Sequence, residues 1–282
     1  MQIDRAFVRI AEGLVHYRHA GRPNAAADGP PPLYMLHASP ASSINLVPLI
    51  GPLSASRRVI APDTLGFGDS PPPRQETPDI ADYAESVDRI MAALQIRPCD
   101  IYGTHTGAHI AIELAILFPG RVRRLIIDGV SLMTPEVRAD LHANYAPEMK
   151  PSAHGEHLIW AWNYVRDQFI YFPHFKQTAQ NLRRVDMSSP ETIHTIVMEV
   201  LKGLGSYHKG YRAVFRHDDD KRMPLITQRT FCIASEDDPL HVSVGRAAAL
   251  IKNAVKAVTR SEWTLEGAAA KAKIIAEFLD AP

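Results

Sequence analysis

An α/β fold, with a mostly parallel central sheet covered by helices on both faces, is predicted by three features of the sequence. Short apolar runs of strand length alternate with longer segments whose apolar residues recur at helical spacing. A glycine-flanked turn, Gly103-Thr104-His105-Thr106-Gly107, joins one such run directly to a helix. The alternation then fails over residues 131–222 and resumes afterwards, so a helical segment is expected to interrupt one continuous sheet.

Taken in order, Ala6–Ile10 and Leu14–His19 alternate loosely and read as a hairpin turned at Glu12-Gly13. Residues 21–32 are rich in Gly, Pro, Ala and Asn and read as a surface loop. Leu33–Leu36 is a buried strand, Ser42–Leu53 a helix, and Arg58–Ala61 the next strand. Ile80, Tyr83, Val87, Ile90, Met91 and Leu94 recur at helical spacing across Asp79–Leu94. Ile101 and Tyr102 form the strand before the glycine turn, and Arg124–Ile127 the strand after its helix. Within 131–222 the helical candidates are Pro135–Asn144, His154–Phe169 and Pro190–Lys202. Thr230–Ala234 returns to a strand. His241–Ile251 reads as a helix, Ala257–Thr259 as a last short strand and Trp263–Leu279 as a closing helix. The expected division is therefore a core of residues 1–130 and 223–282, with 131–222 inserted as a cap.

Composition excludes several classes. The chain has 282 residues, 46% hydrophobic and 22% charged, which suits one large globular domain. Lys plus Arg and Asp plus Glu both number 31, so no global charge points to nucleic acid or to an anionic membrane. The opening Met-Gln-Ile-Asp-Arg lacks the basic-then-apolar pattern of a secretory leader, and no apolar run is long enough to span a bilayer. Cys99 and Cys232 read as buried free thiols in a reducing compartment, so a cytoplasmic location is expected. The expected partner is a small-molecule substrate. The oligomeric state, a homodimer included, is left open.

The turn at 103–107 has the small-x-nucleophile-x-small spacing of a strand-turn-helix elbow. Glycines are needed where strand and helix approach closely, and the central side chain is pushed out above the sheet in a strained conformation. This turn resembles the nucleophile elbow of the α/β-hydrolase superfamily, with His105 where serine is usual. His37-Ala-Ser-Pro40 resembles the HG-x-P turn of that family, and Asp63-Thr-Leu-Gly-Phe-Gly-Asp-Ser70 its D-x-x-G-x-G-x-S loop. Glu236-Asp-Asp-Pro-Leu240 follows a late strand, where the family places its acid. The four motifs stand in the family's order, and the resemblance covers the chain outside 131–222.

The resemblance implies an α/β-hydrolase fold and a set of site residues. Backbone N–H groups of Ala38 or Ser39 and of Thr106 would form the oxyanion hole. Asp238 would be the acid, with Asp237 and Asp128 as alternatives. The position of the family's histidine falls on Ser261-Glu262-Trp263, and no histidine follows His241. The Ser-His-Asp relay thus lacks both its serine and its base, and the catalytic set becomes His105, Asp238 and Glu262. An imidazole at the elbow can act as nucleophile or general base, a carboxylate partner raises its pKa, and Glu262 is a second acid/base group. His37 either braces the oxyanion turn or contributes to substrate binding, and Trp160 and Trp162 are candidate substrate contacts from the cap. No cofactor is expected. His105 and His109 are spaced to share a helix face and to bind a metal, but no H-E-x-x-H motif accompanies them, so no metal is expected. The leading expectation is an enzyme acting on a small, largely apolar carbonyl compound: an ester, lactone or β-dicarbonyl, by hydrolysis or by cofactor-free lyase or proton-transfer chemistry. The alternative is a non-catalytic small-ligand-binding protein that kept the pocket and lost the relay.

Overall fold

The computed structural model describes residues 2–21 and 29–282. The loop expected over 21–32 falls, at residues 22–28, outside the described residues. The chain begins with strands β1 (Asp4–Ile10), β2 (Gly13–Ala20) and β3 (Leu33–Leu36). Helix α1 (Val47–Leu53), β4 (Val59–Pro62), α2 (Ile80–Ala93), β5 (Cys99–Thr104), α3 (Thr106–Leu117) and β6 (Val122–Asp128) follow. Five helices then come before the next strand: α4 (Pro135–Asn144), α5 (Glu156–Ile170), α6 (Pro190–Lys202), α7 (Tyr207–Arg216) and the single turn α8 (Asp219–Arg222). The chain closes with β7 (Arg229–Ser235), α9 (Val244–Leu250), β8 (Ala254–Thr259) and α10 (Leu265–Asp280).

The eight strands form one sheet in the order β1-β2-β4-β3-β5-β6-β7-β8. β1 pairs antiparallel with β2, and β2 with β4; every other pairing is parallel. Parallel strands need crossovers, and the helices that supply them cover both faces. One core holds Tyr34, Leu36, Ile101 and Ile127 with α2 and α3. The other holds Met35, Tyr102, Ile126 and Ile233 with α1 and α10. The alternation of neighbours such as Ile101 and Tyr102 between the two cores is the period-two pleat of a strand buried on both sides.

Several elements differ from expectation, three of them instructively. The helix expected from Ser42 starts as a 3-10 turn at Ser43–Leu46, capped by the Ser42 hydroxyl, and becomes α-helical only at Val47-Pro48. Proline favours that first turn because its missing N–H would have no partner there. The helix expected from His241 likewise opens as a 3-10 turn, Pro239–Ser243. Helix α7 was not expected, because Gly210 interrupts a short segment. A Cβ at position 210 would lie 2.8 Å from the Phe67 ring, so close packing of α7 on that loop excludes a larger side chain.

Candidate active site

The C-terminal ends of the parallel strands converge at one edge of the sheet, the usual place for ligand in such folds. β3 ends at Leu36 before His37, β4 at Pro62 before Asp63, β5 at Thr104 before His105, and β6 at Asp128 before Gly129. β7 ends at Ser235, three residues before Asp238, and β8 at Thr259, three before Glu262.

His105 sits between β5 and α3 with φ 49° and ψ −114°, a conformation that side chains rarely adopt. The surrounding glycines show why it is held there. A Cβ at position 103 would lie 2.2 Å from the carbonyl oxygen of Gly107, and one at 107 would lie 2.3 Å from that of Leu36. The strand and helix therefore meet closely on both sides of His105, and its ring is lifted off the sheet. Its backbone N–H donates to the Asp128 carbonyl at 2.9 Å, tying the turn to β6.

The ring lies against Asp238, with Nε2 2.8 Å from Oδ2. Partial burial disfavours the charged imidazole. Asp238 opposes this most strongly, Asp128 and Glu262 add to it, and the net effect raises the His105 pKa above its ordinary value. Burial likewise works against the Asp238 carboxylate, but His105 and the Leu240 N–H hold its pKa down at about 2. Both shifts favour an imidazolium–carboxylate pair. The His105 side chain keeps 39% of its surface exposed, so the pair is accessible to ligand.

Glu262 is not in that pair. Its carboxylate takes hydrogen bonds from Ser235 and from the Lys271 ammonium, the latter at 3.0 Å. Asp128 is likewise occupied, 2.5 Å from Lys271 and 2.5 Å from the Tyr102 hydroxyl. Lys271 is fully buried, and burial alone would discharge it. The two carboxylates outweigh that and raise its pKa. Glu262, expected as a second acid/base group, is thus held by a buried lysine and not by His105. Glu262 acts on His105 through its field only.

His37 is buried and braces two strand ends. Its Nε2 accepts from the Thr64 N–H at 2.9 Å, which leaves Nδ1–H to donate to the Ala38 carbonyl at 2.9 Å. Burial lowers its pKa, which suits this neutral tautomer. Its ring is outside the cavity wall described next, so the substrate-binding option for His37 gives way to the bracing one. Ala38 and Ser39 follow β3, against which the start of α3 is packed. Thr106 opens α3, where the first N–H groups have no carbonyl within the helix to bond.

A cavity of about 50 Å³ lies beside His105, walled by Thr106, His109, Ser131, Leu141, Tyr145 and Phe215 among others. A larger depression of about 430 Å³ lies against Asp238, Arg183 and Phe172. Phe172 belongs to both walls, with Asp238 lining the outer space and His105 the inner one. Neither tryptophan lines either space. Trp160 stacks on Tyr164 at 4.8 Å between ring centroids, and Trp162 is 36% exposed. Two residues apart on α5, they face nearly opposite ways. The inner aromatic wall comes instead from Tyr145, after α4, and from Tyr211 and Phe215 on α7.

Sequence reasoning also missed a charge cluster behind the inner cavity. His109 Nδ1 is 2.8 Å from Asp219 Oδ1, and its Nε2 is 3.0 Å from Ser131 Oγ. His217 bonds the same Asp219 oxygen at 2.9 Å and Glu113 at 2.8 Å, and Arg222 completes the group on Glu113 at 2.6 and 2.8 Å. Burial disfavours charge on His217, but both carboxylates bond its ring N–H groups and lift its pKa to about 9. His109, His217 and Asp219 lie close enough to surround a metal ion, and the same ligand atoms are engaged with one another and with Glu113 in this structure. The available signal was on α3. His109 and Glu113 are four residues apart on an otherwise apolar buried helix, a polar stripe that requires partners.

Comparison with known proteins agrees with this architecture. Residues 31–149 match a family model described as alpha/beta hydrolase fold. A 2-hydroxymuconate semialdehyde hydrolase from a Pseudomonas species is 39% identical over 101 residues, 35% of this chain and 36% of that protein. A 2-hydroxy-6-oxo-2,4-heptadienoate hydrolase from Pseudomonas putida is 34% identical over 96 residues, 34% of this chain and 35% of that one. These matches span about a third of each relative's length. Among solved structures, epoxide hydrolase A from Mycobacterium thermoresistibile superimposes with a TM-score of 0.75 and 18% identity, covering 99% of both chains. The enol-lactonase from Burkholderia xenovorans gives 0.69 and 20% identity, covering 97% of this chain and 99% of that one.

Proposed function

This chain has the α/β-hydrolase fold, and from that fold and its site we propose that it is a hydrolase of small, largely apolar carbonyl compounds, with the His105–Asp238 pair as its acid–base centre. The observation that carries the reading is that pair: an elbow imidazole 2.8 Å from a half-buried carboxylate, partly exposed beside a cavity walled mainly by apolar and aromatic side chains. The partial sequence relatives named as hydrolases of oxo-dienoate compounds support an ester, lactone or β-dicarbonyl as substrate class. In its charged form His105 donates a proton, or holds charge, where a carbonyl oxygen becomes an oxyanion. In its neutral form it removes a proton from water. Asp238 fixes the ring and stabilises the charged form.

The test is turnover of 4-nitrophenyl acetate and of small lactones by the parent protein and by His105→Ala. A loss of about a hundredfold or more in kcat/KM is expected, the usual scale of an acid–base group. Equal rates for the two proteins would remove His105 from the chemistry. No turnover of any carbonyl substrate by the parent would favour the non-catalytic ligand-binding reading.

A further inference from the structure

The elbow lacks serine, yet a serine, a histidine and an aspartate meet in hydrogen-bonding order at the inner cavity. Ser131 lies three residues beyond the end of β6, and its hydroxyl is 3.0 Å from Nε2 of His109. His109 lies on the first turn of α3, and its Nδ1 is 2.8 Å from Asp219 on α8. Ser131 and His109 both line the cavity that His105 and Thr106 line. We propose that Ser131, His109 and Asp219 form a displaced nucleophile–base–acid relay, in which Ser131 Oγ attacks the carbonyl carbon of a small ester or lactone. The inference rests on the hydrolytic reading above and names the nucleophile that the reading leaves open.

The bond pattern assigns the tautomer. Asp219 as a carboxylate only accepts, so Nδ1 of His109 carries a hydrogen, and in the neutral ring that the relay requires Nε2 offers its lone pair to the Ser131 hydroxyl. Asp219 also takes an N–H from His217, and Glu113 takes one from His217 and two from Arg222. The two cations, His217 and Arg222, thus balance the two carboxylates, Asp219 and Glu113. The relay comes from three elements and is held from behind by ion pairs, so the imidazole has little freedom to turn away.

The step balances as follows. Ser131 Oγ forms a bond to the carbonyl carbon as its proton passes to Nε2 of His109. The carbonyl oxygen takes the electron pair of the C=O bond, beside the N-terminus of α3 and the His105 ring. When the C=O bond re-forms, the bond to the leaving oxygen breaks, and that oxygen takes the proton from His109. Water then attacks the acyl carbon and gives its proton to His109; as the C=O bond re-forms, the bond from the acyl carbon to Ser131 Oγ breaks, the acid is released, and Oγ takes the proton from His109.

Methanesulfonyl fluoride, a small serine-directed reagent, is the probe. The parent protein is treated with it and digested, and the adduct is located by peptide mass spectrometry, with residual 4-nitrophenyl acetate turnover followed in parallel. The expected adduct is on Ser131. It is absent in Ser131→Ala, forms far more slowly in His109→Gln, and appears in step with loss of turnover. Ser131→Ala is expected to lower kcat by at least about a hundredfold, as loss of a relay member does. Labelling of the parent needs no variant to fold. Absence of any adduct on Ser131, an adduct on His105 instead, or full turnover in Ser131→Ala each overturns the relay. Turnover that survives Ser131→Ala but not His105→Ala leaves the hydrolytic reading standing without it. Labelled Ser131 in a protein that turns over no carbonyl substrate supports an activated serine and sinks the hydrolytic reading.

Discussion

At His105, two opposed influences act on one proton. Partial burial favours the neutral ring, and the Asp238 carboxylate 2.8 Å away favours the charged one. Because the raised pKa is the net of both, removing the carboxylate leaves burial opposed only by the weaker fields of Asp128 and Glu262. In Asp238→Asn the His105 pKa, followed by NMR, is expected to fall to 6.5 or below. In Glu262→Gln it should fall less, because that carboxylate is held by Lys271 and Ser235. The larger fall in Glu262→Gln would reverse the pairing. The sign for stability follows from the same shifts. A histidine with a raised pKa contributes fully below its unfolded value and loses the contribution as pH rises through the folded value. An aspartate held at about 2 contributes above its unfolded value of 3.8 and loses it as pH falls through about 2. The stability difference between the parent and Asp238→Asn, from urea unfolding, should therefore be largest between roughly pH 4 and 6.5 and shrink on either side.

The elbow and the start of the β6 loop form one unit, joined at Gly129. Its φ is 64°, and a Cβ there would lie 2.7 Å from Asp238 Oδ2 and 2.9 Å from His105 Nε2. Gly129→Ala is thus expected to wedge the pair apart. Left-handed backbone should cost alanine about 1–2 kcal/mol, small enough for the chain to fold. The variant should keep its far-UV circular dichroism, show a lowered His105 pKa and lose most turnover; an unchanged pKa would mean that the loop relaxes around the methyl group. This unit was legible in the sequence because its determinants are local. Gly103, His105 and Gly107 stand within five residues, and sterics alone dictate the positive φ. The Asp238 loop was legible for the same reason, as a Pro-containing turn after a strand. The His109 cluster was not, because its bonds to Asp219 and Ser131 cross 110 and 22 positions of the sequence. Nor was the aromatic wall, since the direction in which α5 presents Trp160 and Trp162 depends on tertiary packing rather than on spacing.

Across the whole molecule, one buried cation ties the last helix to the sheet beneath the site. Lys271 projects from α10 between Asp128, at the end of β6, and Glu262, after β8, and its ammonium also donates to Ser235, at the end of β7, at 3.2 Å. The helical spacing of α10 puts Lys271 on its core-facing side, and the sequence alone does not show which carboxylates meet it there. Burying three charges together is costly, so the triad is weak evidence of net stabilisation, but removing one member leaves the others uncompensated. Lys271→Met keeps much of the volume and removes the cation. It is expected to cost about 3–5 kcal/mol in urea unfolding. The loss should also depend on pH. Burial already pushes the Asp128 carboxyl up, and without Lys271 nothing of equal strength pulls it down. A carboxyl whose folded pKa lies above its unfolded one binds more protons in the folded state, so stability falls as pH rises between the two values. The deficit of Lys271→Met should accordingly be larger at pH 8 than at pH 5, and Lys271→Met with Asp128→Asn should recover part of it and flatten the dependence. Because the Asp128 carbonyl anchors the His105 N–H at 2.9 Å and Ser131 lies three residues further on, the single variant should also lose turnover while folded. A deficit under about 1 kcal/mol, equal at both pH values, would show that the Lys271 triad does not hold α10 to the sheet.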